Sequence, residues 1–227
     1  MIDVVLLEPE SPGNIGSIAR VMKNFGFLRL VIVNPKCNHL DSMAIKMSMH
    51  GKDILENASV MGDFGNYDYL VATSARLGRD YNITRSPLTA EKFATRISEF
   101  KDTRVGLLIG RESSGLTNAE IEKCDFLVNI PASEEYNTLN ISHALTVILY
   151  EIYKNWNDND RLIPIGDDEK RVILDRVNSI LDKVHFTTAD KRETQIKFWK
   201  RLLGKSFLTK RESYAMLGFL KKIDDRL

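Results

Sequence analysis

Five short apolar runs constrain this chain of 227 residues more than any other feature: Val4–Leu7, Leu28–Val33, Tyr69–Ala72, Val105–Ile109 and Phe126–Ile130. They are rich in Val, Ile and Leu and continuous rather than alternating, the pattern of strands buried on both faces of a parallel sheet. Helical patterns lie between them, as at Ile15–Phe25 and Leu88–Ile97. Thr117-Asn118-Ala119-Glu120 reads as a capping box, whose hydroxyl and carboxylate satisfy free backbone donors at a helix start. A longer helix is expected from Asn140 to about Trp156, with Leu145, Ile148, Leu149 and Ile152 on one face. Repeated βα units predict an α/β fold with an open, mostly parallel sheet.

The pattern breaks at Asn157-Asp158-Asn159-Asp160-Arg161, and Pro164 and Gly166 follow. We read 157–167 as a linker between a domain at 1–156 and a small helical extension at 168–227. In the extension, Val172, Leu174, Val177, Ile180, Leu181 and Val184 recur at helical spacing. A second helix is expected at about 189–203, and Thr209-x-x-Glu212 caps a third toward Ile223. Three helices make a small core, so docking across a two-fold interface is expected to bury their apolar stripes.

Charge divides the chain the same way. Phe186 to Leu227 holds 11 Lys and Arg against 5 Asp and Glu, a net +6 that leaves −5 on the rest. A basic end on an acidic body suggests an anionic partner, and a solvated helical surface is the alternative. Cys37 and Cys124 cannot make a disulfide framework, and their scarcity suits a reducing compartment. Four scattered histidines without HExxH or CxxC make a metal site unexpected. No apolar run approaches the ~18 residues of a transmembrane helix, so no membrane is expected. The first residues lack a signal peptide's basic start, and a cytoplasmic location is expected.

Three segments break the rules of simple βα packing. Gly13-Asn14-Ile15-Gly16-Ser17-Ile18-Ala19-Arg20 follows the first run. It reads as a tight βα turn with a polar helix start, or as a helix N-terminus able to bind an anion. It matches neither GxGxxG nor a P-loop. Ile109-Gly110-Arg111-Glu112-Ser113-Ser114-Gly115-Leu116 puts charges at the end of a buried run, where open α/β sheets bind ligands; an exposed ion-pairing loop is the alternative. Ile130-Pro131 precedes Tyr136-Asn137-Thr138-Leu139-Asn140-Ile141-Ser142-His143, where Asn140 and Thr138 can cap the next helix.

In order and spacing, Asn14 with Arg20, Gly110-Arg111-Glu112 with Gly115-Leu116, and Thr138-Leu139-Asn140 resemble the SpoU/TrmH family of SPOUT methyltransferases. The resemblance covers residues 1–155. Thr73-Ser74-Ala75-Arg76, Gly115-Leu116-Thr117-Asn118 and Glu135-Tyr136 before Asn137 are most similar to its TrmJ type, tRNA ribose methyltransferases acting at the first nucleotide of the anticodon loop, a cytidine or alternatively a uridine. Thr138 stands where many such proteins have serine, and the hydroxyl is kept.

The resemblance implies a sheet whose C-terminal part is tied in a trefoil knot, a homodimer, and a tRNA substrate. It also implies S-adenosyl-L-methionine held by Thr73, Ser74 and Ala75, by Gly110 with Ile130, and by Asn137, Thr138 and Leu139. Arg20 matches the residue that activates the ribose 2′-hydroxyl, with Asn14, Glu112 and Asn140 as its partners. Another tRNA site, a ribosomal RNA acceptor, or an inactive RNA-binding module are the alternatives. Outside these positions, His143 is expected to pack in its helix, Cys124 to be a small buried hydrophobe, and Met43, Met47 and Met49 to be core residues rather than a substrate surface.

Overall fold

The computed structural model describes residues 1–75, 87–99, 102–156 and 163–227. The five apolar runs form β1 (Ile2–Leu7), β2 (Leu30–Val33), β4 (Tyr69–Thr73), β6 (Val105–Ile109) and β7 (Phe126–Asn129). Two short strands join them, β3 (Ser59–Met61) and β5 (Leu88–Thr89). All pairs are parallel, in the order β3-β2-β1-β6-β4-β7-β5. The expected helix at Leu88–Ile97 is thus trimmed. Leu88 and Thr89 pair with Val128 and Asn129, and Thr89 caps α4 (Ala90–Ser98) by accepting from the Lys92 amide. Leu28, expected in a strand, is exposed.

Alternate strand residues feed two cores. Val4, Leu6, Ile32, Val71 and Leu107 face α1 (Pro12–Asn24), α4 and α6 (Ile141–Asn155). Val5, Leu7, Val33, Ala72 and Leu108 face α5 (Asn118–Lys123) with Ile121 and Cys124. Burial pushes the Cys124 thiol up to about 12, in keeping with a buried apolar role. The segment after β2 forms α2 (Ser42–Ser48) and the short α3 (Lys52–Glu56). Gly16 lets α2 approach α1, since a Cβ there would lie 2.2 Å from the Ala44 carbonyl oxygen. Met43, Met47 and Met49 are 50%, 39% and 58% exposed, so the expected core role fails. Only the helix's other face, Ala44 and Ser48, is buried.

The extension consists of α7 (Asp167–Lys183), α8 (Ala189–Ser206) and α9 (Lys210–Asp224). Of the expected linker, 157–162 lies outside the described residues. The helices bury a cluster of their own, Ile165, Ile173, Val177, Leu181, Leu203 and Leu220, so their stripes need no second subunit. They also dock on the sheet of the same chain. Phe207, left-handed at the end of α8, enters the main core 5.2 Å from the Tyr69 ring and 5.5 Å from Phe126. Beside it the Lys170 ammonium, 3% exposed, donates to Asp125 at 2.9 Å and to the Asp68 carbonyl, and lies 3.8 Å from the Tyr69 ring centre. A buried cation needs such partners to offset lost hydration.

Phe207→Ala empties a site that the extension fills in the main core. It should cost about 3–5 kcal/mol, read by chemical denaturation of the whole chain. A loss under about 1 kcal/mol would show that the extension does not complete the sheet's core.

Candidate active site

Four central strands of the sheet, β1, β6, β4 and β7, are neighbours, so the loops at their C-terminal ends stand side by side. That is where open α/β sheets place ligand sites. A cleft of about 170 Å³, partly open to solvent, lies among them. Every residue expected to hold the cofactor lines it: Thr73, Ser74, Ala75, Gly110, Ile130, Asn137, Thr138 and Leu139. Arg76, from the same expected motif, lies outside the described residues.

Each loop is held by hydrogen bonds of its own. The Thr73 hydroxyl donates to the Leu108 carbonyl at 3.0 Å, and the Ser74 amide to the Val128 carbonyl at 3.1 Å. Asn129, which the sequence reading passed over, donates its side-chain amide to the Ser74 carbonyl at 2.9 Å. A polar residue closing an otherwise apolar run was its signal. Gly110 permits the next loop to fold back on itself. A Cβ there would lie 2.4 Å from the Gly115 carbonyl carbon, and Gly115 takes φ +69° to close the turn with a 2.9 Å bond from its amide to the Arg111 carbonyl.

Arg111 lines the cleft, but its charge is committed. It donates to both Glu120 oxygens at 2.9 and 3.1 Å, to Glu8 at 3.2 Å and to the Gly115 carbonyl at 3.3 Å. The Glu120 and Glu8 hydrogen bonds raise its pKa further, so it remains a cation at any working pH. Burial works against the Glu120 carboxylate, yet Arg111 and the Thr117 backbone together hold its pKa below the ordinary value.

Glu112 joins the loop to the segment after β1. Its carboxylate accepts from the Glu10 amide at 2.9 Å, the Ser11 amide at 3.1 Å and the Asn14 side chain at 3.2 Å. Glu10, also passed over, returns the contact by accepting from the Ser113 amide at 3.1 Å and hydroxyl at 2.8 Å. The Asn14 oxygen accepts from the Asn140 side chain at 3.1 Å, and Asn140 caps α6 by accepting from the Ser142 amide at 2.9 Å. Three of the four residues expected to act together, Asn14, Glu112 and Asn140, thus form one chain of hydrogen bonds. Arg20 stands apart: it is exposed on α1, does not line the cleft, and makes no ion pair among the described residues. His143 is exposed rather than packed.

The cleft's remaining walls are Ile109, Leu116, Val128, Leu145 and Ile148, against the hydroxyls of Thr73, Ser74 and Thr138. Its carboxylate and guanidinium are already paired, so it offers an incoming molecule apolar walls, small hydroxyls and backbone groups. This donor set fits an adenosine and an amino-acid tail, which need apolar faces and convergent neutral hydrogen bonds. Gly110→Ala should push the Gly115 backbone outward, costing about 1–3 kcal/mol and speeding amide exchange at 111–116. Exchange as slow as in the parent would contradict the close approach.

The chain is similar to proteins of one family. Residues 1–150 match the SpoU rRNA Methylase family. The tRNA (cytidine-2′-O-)-methyltransferase TrmJ of Methanocaldococcus jannaschii is 38% identical over 229 residues, covering 97% of this chain and 99% of that protein. The structure of a probable methylase family protein from Haemophilus influenzae Rd KW20 superposes with a TM-score of 0.69 at 28% identity, covering 99% and 96% of the two chains. The SpoU methyltransferase AviRb from Streptomyces viridochromogenes, solved in complex with the cofactor AdoMet, gives 0.51 at 26% identity over 68% of this chain and 57% of its own. The match over residues 1–150, with the relative aligned almost end to end, shows that this chain belongs to the SpoU methylase family.

Proposed function

We propose that the protein is an S-adenosylmethionine-dependent tRNA ribose 2′-O-methyltransferase acting at the first nucleotide of the anticodon loop. One observation carries this reading: all eight expected cofactor residues surround a single cleft, with the Glu112–Asn14–Asn140 chain along its rim. The TrmJ relative supports a tRNA substrate and a cytidine ribose. Gly110, Ile130 and Leu139 would bring backbone and apolar faces to the adenosine, and Thr73–Ala75 with Asn137 and Thr138 its polar contacts.

When bound, S-adenosylmethionine supplies a methyl group activated by its sulfonium. That methyl group would be open to in-line attack by a ribose 2′-hydroxyl, whose proton would leave to phosphate or water. Arg20 cannot serve as the base, because a guanidinium offers five N–H donors and no acceptor. Its part is to stabilise charge growing on the ribose oxygen and to orient the adjacent phosphate. Asn14, Glu112 and Asn140 order the rim without meeting the reacting atoms.

Arg20 lies outside its own chain's cleft, which supports a homodimer in which it serves the other subunit's cofactor. An apolar face suits that assembly: Val147, Tyr150 and Tyr153 are exposed on α6, and Phe25, just after α1, packs 6.3 and 5.9 Å from the two tyrosine rings. The RNA surface of the extension narrows to α9. There Arg211, Lys221 and Lys222, and Arg226 just beyond the helix, are exposed without an ion pair among the described residues, beside exposed Tyr214 and Phe219. Cations with aromatics track phosphates and stack bases. The knot, the division at 157–167 and a cytoplasmic location belong to the same reading. No described helix is long and apolar enough to cross a membrane.

Purified protein with S-adenosylmethionine and tRNA should add one ribose methyl group, placed by mass spectrometry of nuclease digests. Arg20→Ala should lower turnover by about 10²–10³-fold with cofactor affinity unchanged, and Arg20→Lys should remain poor because an ammonium lacks the planar fork. A methyl group on ribosomal RNA alone, or full turnover by the lysine variant, would contradict the substrate and the geometric role respectively.

A further inference from the structure

The extension's basic residues are not all turned outward. Lys197, Lys200 and Arg201 of α8 face α5, a helix of six residues whose last carbonyls have no partner within it. The Lys200 ammonium donates to the Glu122 carbonyl at 2.8 Å, and Arg201 donates through Nη2 to the Ile121 carbonyl at 2.9 Å. Lys197 pairs with the Glu122 carboxylate at 3.5 Å. Gly204, one turn on, lets α8 approach this closely, since a Cβ there would lie 2.6 Å from the Asp125 carbonyl oxygen. The other end of α5 carries Glu120, which grips Arg111 of the cleft loop with two bonds and is fixed by the Thr117 amide at 2.7 Å. One short helix therefore connects the extension to the cleft.

Stability alone does not explain Arg201. It is 6% exposed, forms no ion pair among the described residues, and its Nη1 has no hydrogen-bond partner among them. Burial lowers its pKa, against the positive charge. A buried charge without a carboxylate is worth less to the fold than an apolar side chain of like size. What it does supply is direction, because a planar donor aimed at one carbonyl sets where the end of α5 lies.

We infer that Arg201 is a positioning residue for the cleft: by holding the C-terminal end of α5 it fixes Glu120, and through Glu120 the Arg111 side chain and the 110–116 loop. This rests on reading the cleft as the S-adenosylmethionine site. The extension is then part of the cofactor site as well as a surface for RNA.

Three variants separate positioning from support of the fold: Arg201→Met, Arg201→Lys, and Phe207→Leu, which weakens the same interface without touching α5. Each is compared with the full-length parent by thermal unfolding, by amide hydrogen exchange, and by kcat and KM for S-adenosylmethionine with tRNA as acceptor. Arg201→Met should keep or raise the melting temperature, while exchange across 110–123 quickens. Its KM for S-adenosylmethionine should rise roughly 3- to 30-fold, with a smaller change in kcat. Arg201→Lys should recover part of both effects, and Phe207→Leu should lower the melting temperature while leaving exchange at 110–123 and KM in place. Parental exchange and KM in Arg201→Met would overturn the inference, as would protection lost evenly along the chain with a falling melting temperature. If the parent binds no S-adenosylmethionine the cofactor reading fails, and the exchange comparison still decides the role of Arg201.

Discussion

Two carboxylates crossing between neighbouring loops hold the site together. Glu112, after β6, accepts two backbone amides from the segment after β1, and Glu10 from that segment accepts the amide and hydroxyl of Ser113. Hydrogen bonds to a charged acceptor are about twice as strong as neutral ones, and here four of them act between the same two loops. The contact exists because β1 and β6 are adjacent in the sheet although 97 residues of chain lie between the two strands. It also sets Asn14 and, through it, Asn140 and the start of α6. Loosening the exchange would free the first and third expected site segments together.

The extension adds a second constraint from the opposite side of the sheet's edge. Phe207 fills space between Tyr69 and Phe126, and Lys170 ties the start of β4 to the start of β7. These are the strands whose far ends carry Thr73–Ala75 and Ile130. A helical unit that resembles an appendage in sequence is thus continuous with the core. Its cations divide by direction: Lys197, Lys200 and Arg201 of α8 turn toward α5, while Arg211, Lys221 and Lys222 of α9 turn toward solvent.

The strands were legible because burial on both faces writes a continuous apolar run, a signal that needs no knowledge of partners. β5 has two residues and β3 is exposed, so neither could write one. The methionines of α2 misled because their residue type favours cores, whereas their position faces away from Ala44 and Ser48. The cleft residues came from the resemblance. Residue chemistry alone marked three loops but could not show that they meet, since the order β1-β6-β4-β7 is set by long-range pairing that local periodicity does not encode. Glu10 and Asn129 stayed hidden for the same reason: each works on a segment far away in sequence. The basic count of the tail was correct as arithmetic, but it could not say which cations face inward.

On the proposed reading, the loops after β4, β6 and β7 form one cofactor site ordered by the Glu10–Glu112 exchange. A crystal structure of the protein with S-adenosylhomocysteine tests it most directly. The nucleoside should lie between Gly110, Ile130 and Leu139, with the loop exchange intact. Density for the ligand at any other place, or in the cleft with Glu112 turned away from Ser11 and Asn14, would contradict it.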